Sequence, residues 1–93
     1  MSKNATKYFE QKEKKNFGEM VELYEKLDFN QALEFNGKVL EVHPEHAETL
    51  AYKALLFNAL KKNSKALEII KDAIDKNLVN SFCWHVQGVL FKS

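Results

Sequence analysis

A 34-residue self-similarity runs through the chain and constrains its fold more than any single residue does. Laying residues 47–93 over residues 13–59 places Leu50 on Trp84, Ala54 on Gly88, Phe57 on Phe91, Ala32 on Ala66 and Val39 on Ala73, every pair 34 apart. Small residues recurring at fixed places with that period mark stacked helical hairpins, each burying its apolar face only against its neighbours. The implied class is an interaction scaffold, since such an array offers surfaces and no preformed reaction centre.

The local patterns supply the helices. Phe17, Met20, Val21 and Tyr24 recur at i, i+3, i+4 and i+7, and Asn16 with Glu19 three residues later predicts a capped start for the first helix. Leu27, Asp28, Phe29 and Asn30 form a tight turn, and a second helix carries Ala32, Leu33, Asn36, Val39 and Leu40 on its inner face. It should end before Pro44, because proline disfavours helical geometry in the residue before it. A third helix from about His46 to Leu60 carries Leu50, Ala51, Ala54, Leu55 and Phe57, and a fourth follows Lys61, Lys62 and Asn63 with Ala66, Leu67, Ile70, Ala73 and Ile74. Leu78 stands where proline would close the repeat. Asn80 or Ser81 then caps a fifth helix with Trp84, Gly88 and Phe91. For residues 1–15, a short helix through Ala5, Tyr8 and Phe9 and a frayed end are both open.

Position by position this fits the tetratricopeptide (TPR) pattern of an aromatic or large residue, a small residue four on and an aromatic three further. Leu50, Ala54 and Phe57 supply it once, and Trp84, Gly88 and Phe91 again, with Gln87 departing at the leucine place. Asn16, Met20 and Leu23 make a degenerate first copy, as terminal repeats often are. The expected fold is all-α, a right-handed TPR-type α-α superhelix of antiparallel hairpins, about two and a half repeats long. It reads as one domain over 1–93, with a basic extension at 1–15, repeat one at 16–44, repeat two at 45–78 and the first helix of repeat three at 79–93. Ala32, Ala66 and Gly88 are expected at helix crossings, and Ala73 among the repeat-signature packing positions, with Trp84 in the core.

Within that pattern the wording is similar to one family. The stretch from His46 to Leu55, then Asn58 to Lys61, and above all Cys83-Trp84-His85-Val86-Gln87-Gly88 resemble the N-terminal repeats of the auxiliary subunit of the ribosome-associated N-terminal acetyltransferase called NatA. Tyr24-Glu25, Phe29 and Ala32 to Phe35 continue the likeness upstream. It covers roughly residues 17–91 and only the beginning of a much longer family member. The resemblance implies a non-catalytic scaffold that holds the catalytic subunit near nascent chains at the ribosome. It transfers no contact residue, because that family meets its catalytic subunit mostly in later repeats. A generic TPR interaction module of another complex is the alternative.

Charge and composition narrow the chemistry. All 14 basic residues are lysines and the net charge is +1, so the planar fork that reads phosphate and guanine bidentately is absent and specific DNA recognition is not expected. Residues 1–15 hold five Lys against two acids, 16–60 three against eight, and 61–93 six against three. Solvated helix faces account for such runs, and contact of the basic ends with a polyanion such as ribosomal RNA is the functional reading, with Lys12, Lys14, Lys15, Lys61, Lys62 and Lys65 as candidates. No catalytic set, cofactor or metal is expected. Gly18, Gly37 and Gly88 are too scattered for a phosphate cradle, and Cys83 and His85, two apart on a helix, point to different faces. Cys83 reads as a buried thiol. Phe17, Val21, Tyr52, Phe82 and Val86 occupy the places where chaperone-binding TPR domains carry a Lys and Asn carboxylate clamp, so peptide-tail capture is not expected. With no apolar run of membrane length and no signal-peptide core near the start, a cytoplasmic protein is expected. Trp84, Val86, Val89, Leu90 and Phe91 are too many apolar residues for one helix face, and the chain ends before a matching partner helix. Self-association through residues 81–91 is therefore expected.

Overall fold

A computed structural model describes residues 9–92 as five helices: α1 (Gln11–Glu25), α2 (Phe29–Val42), α3 (Ala47–Ala59), α4 (Asn63–Lys76) and α5 (Ser81–Lys92). α1 pairs with α2 and α3 with α4 as matched hairpins, while α3 also meets α2 and α5, and α5 packs on α4. The described residues are all-helical, in the TPR-like arrangement of stacked hairpins.

The period is written into the backbone as well as the side chains. Leu27 and Lys61, 34 apart, are the two non-glycine residues with positive φ among those described, at 67° and 68°. At each, two crossed bonds close the helix: Leu27 N–H to Tyr24 and Asp28 N–H to Leu23, then Lys61 N–H to Asn58 and Lys62 N–H to Phe57. This is the Schellman closure, which favours glycine because a Cβ is crowded in the left-handed region. Leu27 is 73% exposed, so Leu27→Gly removes the strain and loses little packing. It is expected to raise stability by about 0.5–1 kcal/mol, the relief being partly offset by the larger entropy of an unfolded glycine. A lower urea midpoint would contradict this reading of the turn.

The helix starts repeat in the same way. The His46 Nδ1 accepts the Thr49 N–H at 3.3 Å, and 34 residues on the Asn80 Oδ1 accepts the Cys83 N–H at 3.0 Å. Asp28 caps α2 by accepting from the Gln31 N–H, so that helix begins inside the stretch expected to be turn. α2 stops at Val42, before Pro44, as the proline requires.

The first helix departs most from expectation. α1 begins at Gln11, not at Asn16, and the Glu13 side chain accepts the Glu10 N–H at 3.3 Å in capping-box fashion. Asn16 lies inside the helix. The reason is tertiary: Phe9, just ahead of α1, is buried, with its ring 4.5 Å from both His43 and His46. Residues 11–15 therefore belong to a docked helix, whereas Ala5 and Tyr8 lie outside the described residues.

Two apolar clusters fill the interior. One holds Phe9, Phe17, Met20, Ala32, Val39, Tyr52 and Leu56, the other is centred on α3, α4 and α5, and Leu55 and Phe82 pack against both. Ala32, Ala66 and Ala73 are fully buried in them. Ala66→Leu adds volume at a closed site and is expected to cost about 1–3 kcal/mol. An unchanged denaturation midpoint would count against that packing.

Candidate interaction surfaces

The helices α1, α3 and α5 carry a chain of rings. Phe17 meets Tyr52 at 6.0 Å, Tyr52 meets Tyr24 at 5.6 Å and Phe82 at 5.2 Å, and Phe82 stacks near His85 at 6.5 Å. Three of the five positions considered for a carboxylate clamp are thus bound up in ring packing, and Phe17 and Val86 are buried. Burial pushes both the Tyr24 and Tyr52 hydroxyls up, helped at Tyr52 by the Glu25 carboxylate. Both phenols stay protonated at neutral pH and present neutral donors, not charges.

The six candidate lysines are all exposed, but the fold does not gather them. Lys12, Lys14 and Lys15 lie at the start of α1, the end of the stack where the Glu13 carboxylate sits 3.6 Å from His43 in the α2–α3 turn. Lys61, Lys62 and Lys65 lie at the α3–α4 turn, at the other end of antiparallel helices some 20 Å long at ~1.5 Å per residue. The Lys62 ammonium rests over the Phe57 ring at 5.7 Å. Lys12 also lines a cleft of about 310 Å³ between α1 and α2, with Glu13, Asn16, Lys38, Glu41 and Val42. Its mixture of charges selects no ligand sign.

Residues with reactive side chains are engaged structurally. Cys83 is fully buried with its thiol directed at the Ala47 carbonyl, 3.5 Å away, and burial, reinforced by Glu48, pushes that thiol up to about 11. It is therefore not the thiolate a nucleophile needs. Gly18, Gly37 and Gly88 all fall inside helices. Among the described residues no three His, Cys, Asp or Glu side chains are placed to hold a metal ion. No described helix is long and apolar enough to cross a membrane.

The signature residues of α5 stand differently from expectation. Leu50, Ala54 and Phe57 pack into the cluster under α4, but their equivalents Trp84 and Phe91 are 49% and 69% exposed. A Cβ built on Gly88 would meet nothing within 4 Å. Trp84 is therefore not a core residue and Gly88 is not at a helix crossing here, because no helix of the described chain lies where α4 lies against α3. The Trp84 indole N–H instead donates to the Leu78 carbonyl at 2.7 Å. Cys83, Val86 and Leu90 form the buried side of α5.

Sequence patterning also missed a polar contact in the core. Asn36, 1% exposed, donates its amide to the Thr49 carbonyl at 2.8 Å and ties α2 to α3. A lone polar residue on an otherwise apolar helix face was the available signal.

No family model matches the chain. Among characterised proteins it is 30% identical over 82 residues to the N-terminal acetyltransferase A complex auxiliary subunit NAA15 of Arabidopsis thaliana, covering 88% of this chain and 9% of the relative. It is 33% identical over 84 residues to the mouse and human proteins named N-alpha-acetyltransferase 16, NatA auxiliary subunit, covering 88% of the chain and 10% of each relative. The chain thus spans about a tenth of the length of the relatives it matches.

Proposed function

This chain is a homologue of a segment of the NatA auxiliary subunits, and from that kinship we infer that it serves as a non-catalytic helical-repeat scaffold in a cytoplasmic N-terminal acetyltransferase complex. The observation that carries the reading is identity extending over nearly the whole chain to proteins named as auxiliary subunits of that complex. The geometry supports a binding role: two matched hairpins offer exposed helix faces, the thiol is buried, and the glycines lie within helices. In this role the scaffold holds a catalytic subunit near emerging chains, and its basic ends meet the ribosome.

The test is recovery of an N-terminal acetyltransferase catalytic subunit with the tagged chain from its own cells, with acetyl-CoA turnover following that subunit. Turnover by the purified chain above a denatured control, or recovery of a different complex without an acetyltransferase, would overturn the reading. Ribosome contact is tested separately by cosedimentation, which should weaken steeply with salt as condensed counterions are released. Since the two lysine groups lie at opposite ends, reversing Lys12, Lys14 and Lys15, or Lys61, Lys62 and Lys65, should each remove part of the binding. Binding indifferent to salt and to both reversals would eliminate the lysines as contacts.

A further inference from the structure

Asn36 and Gly37 are the one Asn-Gly pair in the sequence. Asparagine is among the thermolabile residues, and before glycine its amide is lost spontaneously in water, because a following nitrogen with no Cβ beside it can reach the side chain. The Gly37 backbone nitrogen bonds to Asn36 Cγ, the Cγ–Nδ2 bond breaks, and the departing group takes up the backbone amide proton to leave as ammonia. Water then opens the cyclic imide at either carbonyl. The product is aspartate, or isoaspartate with the main chain rerouted through the side chain. Water is the one co-reactant.

The fold blocks this reaction. Asn36 is 1% exposed and its amide donates to the Thr49 carbonyl at 2.8 Å, so its side chain is directed at α3 and not at the Gly37 nitrogen. Gly37 lies inside α2, where its N–H is engaged by the carbonyl four residues back. Ring closure would also carry ψ at Asn36 away from the helical value of about −42°. Nothing in the packing calls for the glycine. Its φ is not positive, it is exposed, and a Cβ built there would meet nothing within 4 Å. Alanine would make the stronger helix at such a position.

We propose that Asn36-Gly37 is a deamidation site gated by unfolding: protected while α2 is folded on α3, reactive when that contact opens, and irreversible once it has reacted. The last property follows from the product. Aspartate at 36 turns a carboxylate toward the Thr49 carbonyl where the amide had donated, and a buried charge without a partner is strongly unfavourable. Isoaspartate adds a carbon to the main chain, which breaks the regular spacing of the helix ladder. Each opening therefore exposes the pair to a change that the fold cannot reverse, and the chain keeps a chemical record of having opened. Closing is fast against this chemistry, so the rate in the folded protein is that of the open segment scaled by the open population.

The experiment follows the amide-to-acid mass change at Asn36 in the 93-residue chain, in neutral buffer and in urea above the unfolding midpoint, beside a peptide of residues 31–41 in both. In urea Asn36 is expected to react at the peptide's rate and ahead of Asn63 and Asn80, each of which precedes a serine. In buffer it should react at least ~100-fold more slowly than the peptide, the protection given by an opening free energy of about 2.8 kcal/mol. Leu56→Ala leaves both residues of the pair unchanged and should speed the reaction in buffer about tenfold for every ~1.4 kcal/mol by which it lowers stability. Gly37→Ala should stay helical and lose the reaction in urea as well as in buffer. The deamidated chain, separated by its added negative charge, should unfold at lower urea than the parent. Asn36 reacting at the peptide's rate in buffer, an unfolded chain that keeps its amide, a Leu56→Ala rate unmoved despite a lowered midpoint, or a deamidated chain as stable as the parent would each overturn the proposal.

Discussion

Asn36→Asp is expected to destabilise the fold by about 3–5 kcal/mol at neutral pH, the cost of leaving a buried charge without a partner. The shape of the side chain barely changes. What changes is that an amide N–H donating to the Thr49 carbonyl is replaced by a carboxylate oxygen facing that carbonyl in a site 1% exposed. The penalty should depend on pH with a definite sign. Burial raises the carboxyl's folded pKa above its unfolded value of about 3.9, so the unfolded chain releases its proton first as pH rises. The destabilisation is therefore smallest below about pH 3.9, where the protonated group can still donate to Thr49. It grows by about 1.4 kcal/mol per pH unit until the folded pKa is reached, and is level above it. Urea midpoints of both proteins between about pH 3 and pH 7 measure this. A difference that stays flat across that range would show that the Asn36 site admits water.

Leu56→Ala is expected to cost about 2–5 kcal/mol, the range for emptying a fully buried leucine site that only partly collapses. Leu56 is 0% exposed on α3, which packs against each of the other four helices. At about 0.05–0.15 kcal/mol per residue, a chain of 93 residues has only about 5–14 kcal/mol in total, so the upper end of the loss would unfold much of it at 37 °C. The urea midpoint should fall with little change in slope. A loss below about 1 kcal/mol would mean that neighbouring side chains refill the cavity.

Most of the architecture could be read from the amino-acid pattern because a repeat states its geometry twice. Ala32 with Ala66, and Val39 with Ala73, occupy equivalent fully buried positions. The pattern was less informative where one copy meets something the other does not. Met20, Ala54 and Gly88 share one register position, yet the first two are buried by the second helix of their own hairpin and Gly88 is not. Periodicity therefore expected packing at Trp84 and Phe91 that needs a helix beyond the described residues. The start of α1 was hidden for a different reason. Glu10 is not a preferred capping residue, and Gln11 to Lys15 contain no apolar side chain to reveal helical periodicity. Their order comes from the Phe9 ring against two histidines 34 and 37 positions along the chain. The candidate lysines could be recognised as exposed, but not as lying at opposite ends, because sequence position does not record the reversal of direction at each turn.

Leu55 and Phe82, each touching both apolar clusters, also shape how the molecule comes apart. In a stack stabilised by nearest-neighbour interfaces, cooperativity depends on what crosses from one unit to the next. Here the link comes from one residue near the middle of α3 and one in the first turn of α5, so opening either cluster strips contacts from the other. Slowly exchanging amides in α2 and α4 should accordingly share one opening free energy, while the ends of α1 and α5 exchange through smaller, local openings.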